Sequence, residues 1–185
     1  CFITVPQDTF VFINASLRSN LDPSEALNDK TIIDALEKTC LWQHFAAHNR
    51  HQQDLHFPET DNAEEVISSI LDLQLSAFPV LSTGQMQLLS LARAILRTQV
   101  QVRFSDEALI TADTRQPKRI LLLDEATSSL DPKTDSIMQD VIRKEFTAKG
   151  HTVIAISHRL GAPSPDNSER VIWIRDGRIN KVAGS

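Results

Sequence analysis

Four aliphatic residues, Ile120 to Leu123, stop abruptly at two carboxylates, Asp124 and Glu125. An apolar run this short with no polar alternation is the pattern of a parallel strand buried on both faces. Asp131-Pro132 follows, an N-cap side chain with proline at the first helical position. Ile137, Met138, Val141 and Ile142 then recur at helical spacing. His151 to Ser157 carries a second run expected to be buried, Thr152 to Ile156. Strand, helix and strand in that order require a crossover, right-handed in a parallel sheet. The fold class is therefore α/β with a parallel core sheet.

The rest of the chain adds helices. Phe2 to Val5 is a short β-rich run stopped by Pro6. Asn28 or Asp29 can cap a helix whose apolar positions are Ile32, Ile33, Leu36 and Cys40, expected to run past Trp42 toward Ala47. Asn49 to Glu65 is polar, contains Pro58 and reads as loop before a short helix over Glu64 to Leu73. Ser82 to Arg97 is a second helix, with Leu88, Leu91, Ala92 and Ile95 on one face. Thr98 to Lys118 reads as irregular, apart from the alternation Val100, Val102, Phe104. Arg170 to Arg175 and Arg178 to Val182, joined by Asp176-Gly177, read as a hairpin. A length of 185 residues suits one domain. The net charge of −5 gives no basic stripe and no expectation of nucleic acid. Cys1 and Cys40 form no metal or redox spacing and suit a reducing cytosol. No membrane-spanning stretch or secretory leader is expected, and a start at Cys1 suggests either that something was removed in front of it or that this is a piece of a longer product.

Three segments carry chemistry. At the carboxyl end of a buried strand, side chains leave the sheet where open α/β folds bind ligands. One carboxylate of the Asp124-Glu125 pair can hold Mg²⁺ while the other orients and deprotonates a water. Two solvated acids are the plain alternative. Leu81-Ser82-Thr83-Gly84-Gln85 stands where a helix begins. Ser82 offers a hydroxyl, Gly84 allows close backbone approach, and a helix start favours an anion by about 0.3–1 kcal/mol. An ordinary serine N-cap followed by glutamine would look the same. Ile156-Ser157-His158-Arg159 follows the second strand and places His158 at the edge that holds Glu125, if the strands are neighbours. A lone histidine there is more often structural.

Taken in order, Leu81 to Leu96, Leu121 to Asp131 and Ser157 to Leu160 resemble the nucleotide-binding domain of ATP-binding-cassette transporters. Val5-Pro6-Gln7-Asp8 resembles the glutamine loop of that family. Leu17 to Pro23 and the retained Glu125 look most like the second cassette of the multidrug-resistance-associated, or C, subfamily. The resemblance implies a P-loop-type ATPase fold with an inserted helical subdomain, using ATP and Mg²⁺ as the motor of a membrane exporter. By the resemblance, Gln7 touches Mg²⁺ and reports nucleotide state to the transmembrane helices. Asp124 holds Mg²⁺ through water, Glu125 is the general base, and His158 contacts the γ-phosphate. The signature residues Ser82, Thr83, Gly84 and Gln85 face ATP held by an opposite cassette, and Asp131 lies in the loop that addresses that partner's site. This is positioning and charge stabilisation, as phosphoryl transfer demands. The implied partners are a second cassette, paired head to tail, and the transmembrane domains of the same transporter, at the cytoplasmic face of a membrane.

The sequence also departs from the family pattern. None of the five glycines (Gly84, Gly150, Gly161, Gly177, Gly184) is followed by lysine, so the Gly-x-x-x-x-Gly-Lys loop that cradles phosphates is not in the chain. In the family that loop precedes the glutamine loop, together with the aromatic residue that stacks on adenine. Ser76 to Val80 lacks the glycines and acid common there, and Met86 stands in place of a basic residue. The expected layout is a glutamine-loop region over 1–15, a helical subdomain with the signature over 16–97, an insertion loop over 98–118 and a catalytic core over 119–185. Such a domain is truncated at its front, and on its own it is expected to be inactive. Two other classes stand beside this one. One is a soluble cassette protein of DNA repair or translation; repair types carry heptad coiled coils, and Asp8 to Val80 has none. A non-catalytic interaction module would also lack the phosphate loop. His44 and His48, spaced i, i+4, could share a metal; without flanking acids or cysteines they are expected to be solvated, like His51 and His56.

Overall fold

Three strands, β1 (Phe2–Val5), β2 (Ile120–Asp124) and β3 (Thr152–Ile156), form one parallel sheet in the order β1-β2-β3. The computed structural model describes residues 2–52, 63–106, 118–158 and 170–183. The expectations placed on Pro58, His56 and Arg159 fall outside them, as does most of the 98–118 connection. Strand pairing is in step: Val5 lies beside Leu123, and Leu123 beside Ala155. Alternation sends Ile3, Val5, Leu121 and Leu123 into the core. The other face carries Phe2, Ile120, Leu122, Ile154 and Ile156, and among the described residues it is uncovered. Phe2 is 65% exposed, Ile154 47% and Ile156 58%, while Ile120 and Leu122 are half-buried. The expectation of burial on both faces thus holds for one face of β2 only, and β3 is fully buried on neither, with Val153 half-buried and Ala155 exposed.

The helical layer begins with α1 (Leu17–Leu21), capped by Ser16, and α2 (Asp29–Lys38), capped by Asn28. The long helix expected to pass Trp42 is instead two. Cys40 takes a left-handed backbone (φ +58), and the Leu41 N–H reaches back to the Leu36 carbonyl at 2.8 Å, closing α2 with a Schellman-type bond. Then come α3 (Trp42–Gln52), α4 (Ala63–Asp72) and α5 (Thr83–Asp106). α5 continues beyond Arg97, and Val100 still packs against the core. It packs against α2 and against β1, burying Leu88, Leu89, Leu91, Ala92, Ile95 and Leu96. Each fully buried leucine contributes about 1.5–3 kcal/mol. Phe45 of α3 meets Phe78 edge to face at 5.0 Å, which joins α3 to the segment leading into α5.

β2 leads into α6 (Pro132–Ile142), whose start is capped as expected: the Asp131 carboxylate accepts from the N–H groups of Lys133 and Thr134 at 3.0 and 3.1 Å. A wider helical turn, Arg143–Thr147, completes the crossover to β3. The hairpin is β4 (Val171–Arg175) and β5 (Arg178–Ala183). Asp176 and Gly177 both have positive φ (+51 and +73), the turn that matches strand twist.

Candidate functional site at the carboxyl edge of the sheet

Because β1, β2 and β3 are parallel neighbours, all three end at one edge, and Gln7, Asp124-Glu125 and His158 follow adjacent strands. The Glu125 N–H still donates to the Ile156 carbonyl at 3.0 Å, so β2 stays joined to β3 one residue past its end. There the backbone turns into the left-handed region, with Glu125 at φ +47. A non-glycine residue there costs about 1–2 kcal/mol. Ser128 stabilises the turn, donating to the Glu125 carbonyl from its N–H (3.0 Å) and its hydroxyl (2.8 Å). The turn brings the Glu125 carboxylate to 2.8 Å from His158 Nε2. Glu125 is partly enclosed, its side chain 21% exposed, while His158 stands out at 85%. Asp124, next to them, is exposed.

At the start of α5, Ser82 and Gln85 cap each other. The Gln85 N–H donates to Ser82 Oγ at 3.2 Å, and the Ser82 N–H donates to Gln85 Oε1 at 2.9 Å. Ser82 and Thr83 are exposed, whereas Gly84 is buried. A Cβ at Gly84 would sit 3.0 Å from Thr134 Cγ2 and 3.3 Å from its hydroxyl oxygen. The close approach allowed by this glycine is thus made to α6 of the same chain. The Thr134 hydroxyl in turn donates to Asp131 Oδ2 at 2.6 Å, so the starts of α5 and α6 meet through Thr134. That hydroxyl, followed by the Thr134 N–H, holds the Asp131 carboxyl below its ordinary range.

Three residues of this arrangement escaped sequence reasoning: Thr134, Gln87 and His44. Gln87 is buried in the second turn of α5 and donates to the Gln7 backbone carbonyl, tying α5 to the segment that follows β1. A glutamine flanked by apolar helix positions was the only hint. His44 is not simply solvated as expected. Its Nδ1 lies 3.2 Å from Gln85 Nε2, and its Nε2 lies 3.3 Å from the Pro79 carbonyl.

Among the described residues, no cluster of three or more His, Cys, Asp or Glu side chains is placed to hold a metal. Mg²⁺ does not require one. It takes one or two protein oxygen ligands and completes its shell with phosphate and water. The Asp124 carboxylate and the Gln7 amide oxygen, at neighbouring strand ends, fit that share.

The chain is 32% identical over 180 residues to the ABC-type transporter FG02316 of Gibberella zeae, covering 97% of this chain and 9% of that protein. It is 32% identical to the bile pigment transporter 1 of Saccharomyces cerevisiae, covering 96% of this chain and 10% of that one. It is 33% identical over 175 residues to the ABC transporter C family MRP4 of Zea mays, covering 95% of this chain and 9% of that protein. The chain therefore spans about a tenth of the length of the curated relatives it matches. No family model matches it. No helix among the described residues is long and apolar enough to cross a membrane.

Proposed function

Because the chain belongs to the ATP-binding-cassette transporter family over the stretch it spans, we propose that it supplies the water-activating strand end and the signature helix of an ATP-hydrolysing domain. The observation that carries this reading is the 2.8 Å contact between Glu125 and His158, beside Asp124, where three parallel strands end.

In the proposed reaction Glu125 is the general base: a carboxylate oxygen accepts a proton from the attacking water. The His158 Nε2–H, donating to the same carboxylate, fixes its direction and can turn outward toward the γ-phosphate. Asp124 and Gln7 would hold Mg²⁺, which when bound neutralises phosphate charge. Ser82 and Thr83 present exposed hydroxyls at the start of α5, with Gly84 and Gln85 shaping the turn, to ATP held by a second cassette. Asp131, capping α6 and joined to Gly84 through Thr134, carries contact at that interface to both elements.

The working layout keeps the glutamine-loop region at 1–15, the helical subdomain at 16–97, the connection at 98–118 and the catalytic core at 119–185. The domain would act at the cytoplasmic face of a membrane as part of an exporter, paired head to tail with another cassette and driven against transmembrane domains. Similarity to C-family proteins supports the subfamily assignment, and within it the chain is read as the second cassette. In the assembled transporter, Glu125→Gln should lower ATP turnover by roughly 10²–10⁴ while ATP still binds, because the amide cannot accept the proton. Unchanged turnover would remove Glu125 from the base role and with it this reading.

A further inference from the structure

We infer that His44 is a positioning residue, which locks the Gln85 side chain and so sets the Ser82 hydroxyl for the partner cassette's phosphate. The inference rests on reading Leu81 to Gln85 as a phosphate contact and goes beyond it by naming what holds that contact in place.

The hydrogen bonds admit one solution. At one end is the Pro79 carbonyl, which can only accept; at the other is the Ser82 N–H, which can only donate. Between them stand two ambiguous groups, the His44 ring and the Gln85 amide. The Ser82 N–H requires Gln85 Oε1 on its side (2.9 Å), which turns the Gln85 NH₂ toward His44. His44 Nδ1 must then accept from it at 3.2 Å, and Nε2 must carry the hydrogen that points at Pro79 (3.3 Å). Only the neutral ring in that one tautomer fits. The other tautomer, or the imidazolium, would set an N–H against an N–H.

The consequence reaches the hydroxyl. Ser82 Oγ accepts from the Gln85 N–H at 3.2 Å, so its own hydrogen is left to donate outward to an acceptor such as a phosphate oxygen. Gln85 is a flexible side chain, and fixing it costs rotamer entropy that the bond to His44 offsets. The ring is well seated for this. The turn at Cys40 redirects α3, and Phe45, fully buried, packs on Phe78 one residue before Pro79. His44, one residue before Phe45, therefore meets both Pro79 and Gln85.

The test joins two measurements on His44→Phe, which keeps a ring but removes both nitrogens, and on His44→Asn, which returns an acceptor near Nδ1. Nuclear magnetic resonance of the ¹⁵N-labelled 185-residue chain reads the Gln85 side-chain amide and the exchange of the Ser82 N–H. ATP-induced cassette pairing in the assembled transporter reads function, with Ser82→Ala alongside. We expect His44→Phe to free the Gln85 amide, speed Ser82 exchange about tenfold and weaken pairing about tenfold, with His44→Asn recovering part of each. Unchanged Gln85 signals in His44→Phe would overturn the inference. So would a freed Gln85 with normal pairing, if Ser82→Ala weakens pairing; the phosphate reading would then survive without His44. If neither Ser82→Ala nor His44→Phe affects pairing, the phosphate reading itself fails and the inference falls with it. Should His44→Phe not fold, Gln85→Met removes the same bond together with the one to the Ser82 N–H and must weaken pairing at least about tenfold; normal pairing would overturn the inference.

Discussion

Gly84 shows how one atom couples two segments. Its hydrogen faces Thr134, and a methyl group there would meet Cγ2 at 3.0 Å, tighter than packed carbon contacts allow. Gly84→Ala should therefore lower stability by about 1–3 kcal/mol through overpacking. Thr134→Ser removes the offending methyl, so Gly84→Ala should cost clearly less in that background. Urea denaturation of the two single variants and the double variant measures the coupling, and equal costs would mean that Gly84 does not bear on Thr134. His151 gives the chain an acid sensitivity of its own. It is buried where β2 and β3 begin, and its Nδ1 accepts the Arg119 N–H at 3.2 Å. Burial first, then the charges of Arg119 and Lys149, push its pKa below the ordinary 6.5. The folded chain therefore resists a proton that the unfolded chain accepts. Stability is complete above about pH 6.5 and falls as the pH drops below it, by at most about 1.4 kcal/mol per pH unit. Carboxylates such as Asp29, held down by the hydrogen bond from Arg18, begin to lose their share only around and below 3.8. Denaturation midpoints from pH 7.5 to 5.5 should fall in the native chain and flatten in His151→Asn; parallel slopes would assign the effect elsewhere.

Between elements, the junction of α1, α5 and the stretch that follows β1 depends on a polar knot. Buried Asn20 accepts from the Phe12 N–H at 2.9 Å and donates to the carbonyls of Phe12 and Ser16 at 2.8 and 3.0 Å. Arg93 of α5 adds donors to the Asn20 and Phe10 carbonyls, each at 2.6 Å. Asn20→Ala would leave several of these groups unsatisfied, each costing about 1–3 kcal/mol where water cannot reach it. The expected result is a lower melting temperature together with faster hydrogen exchange at Phe12. A melting temperature unchanged from native would show that the knot is replaced by water. Such knots are hard to read from sequence because their partners are far apart, Arg93 and Asn20 by 73 residues and Gln85 and His44 by 41. Local signals were legible. The caps at Asn28, Ser82 and Asp131 sit where their side chains and the following periodicity indicated. The break at Cys40 was not, since Thr39-Cys40-Leu41 contains neither the glycine nor the asparagine that usually marks a left-handed helix end. Nor was the end of α5, because past Arg97 the apolar residues Val100, Val102 and Phe104 alternate instead of recurring at helical spacing, while the backbone stays helical.

Across the molecule, strand, helix and strand placed Glu125 and His158 at one edge on the condition that the two strands are neighbours, and the sheet order β1-β2-β3 meets it. What periodicity could not show is which sheet faces the chain itself covers. Ile3, Val5, Leu121 and Leu123 find partners in α5 and its surroundings, while Phe2, Ile154 and Ile156 on the opposite face remain exposed. The same division marks the chemistry. The groups proposed to activate water and to meet a partner's phosphate lie in this chain, and no Gly-Lys loop of the kind that holds β- and γ-phosphates stands in its sequence. Each such charge-assisted contact contributes about 1.5–3 kcal/mol in typical sites, and every 1.4 kcal/mol is about tenfold in affinity. Isothermal titration of the purified 185-residue chain with Mg·ATP tests this division directly. The account predicts a Kd in the millimolar range or weaker, and a micromolar Kd would contradict it.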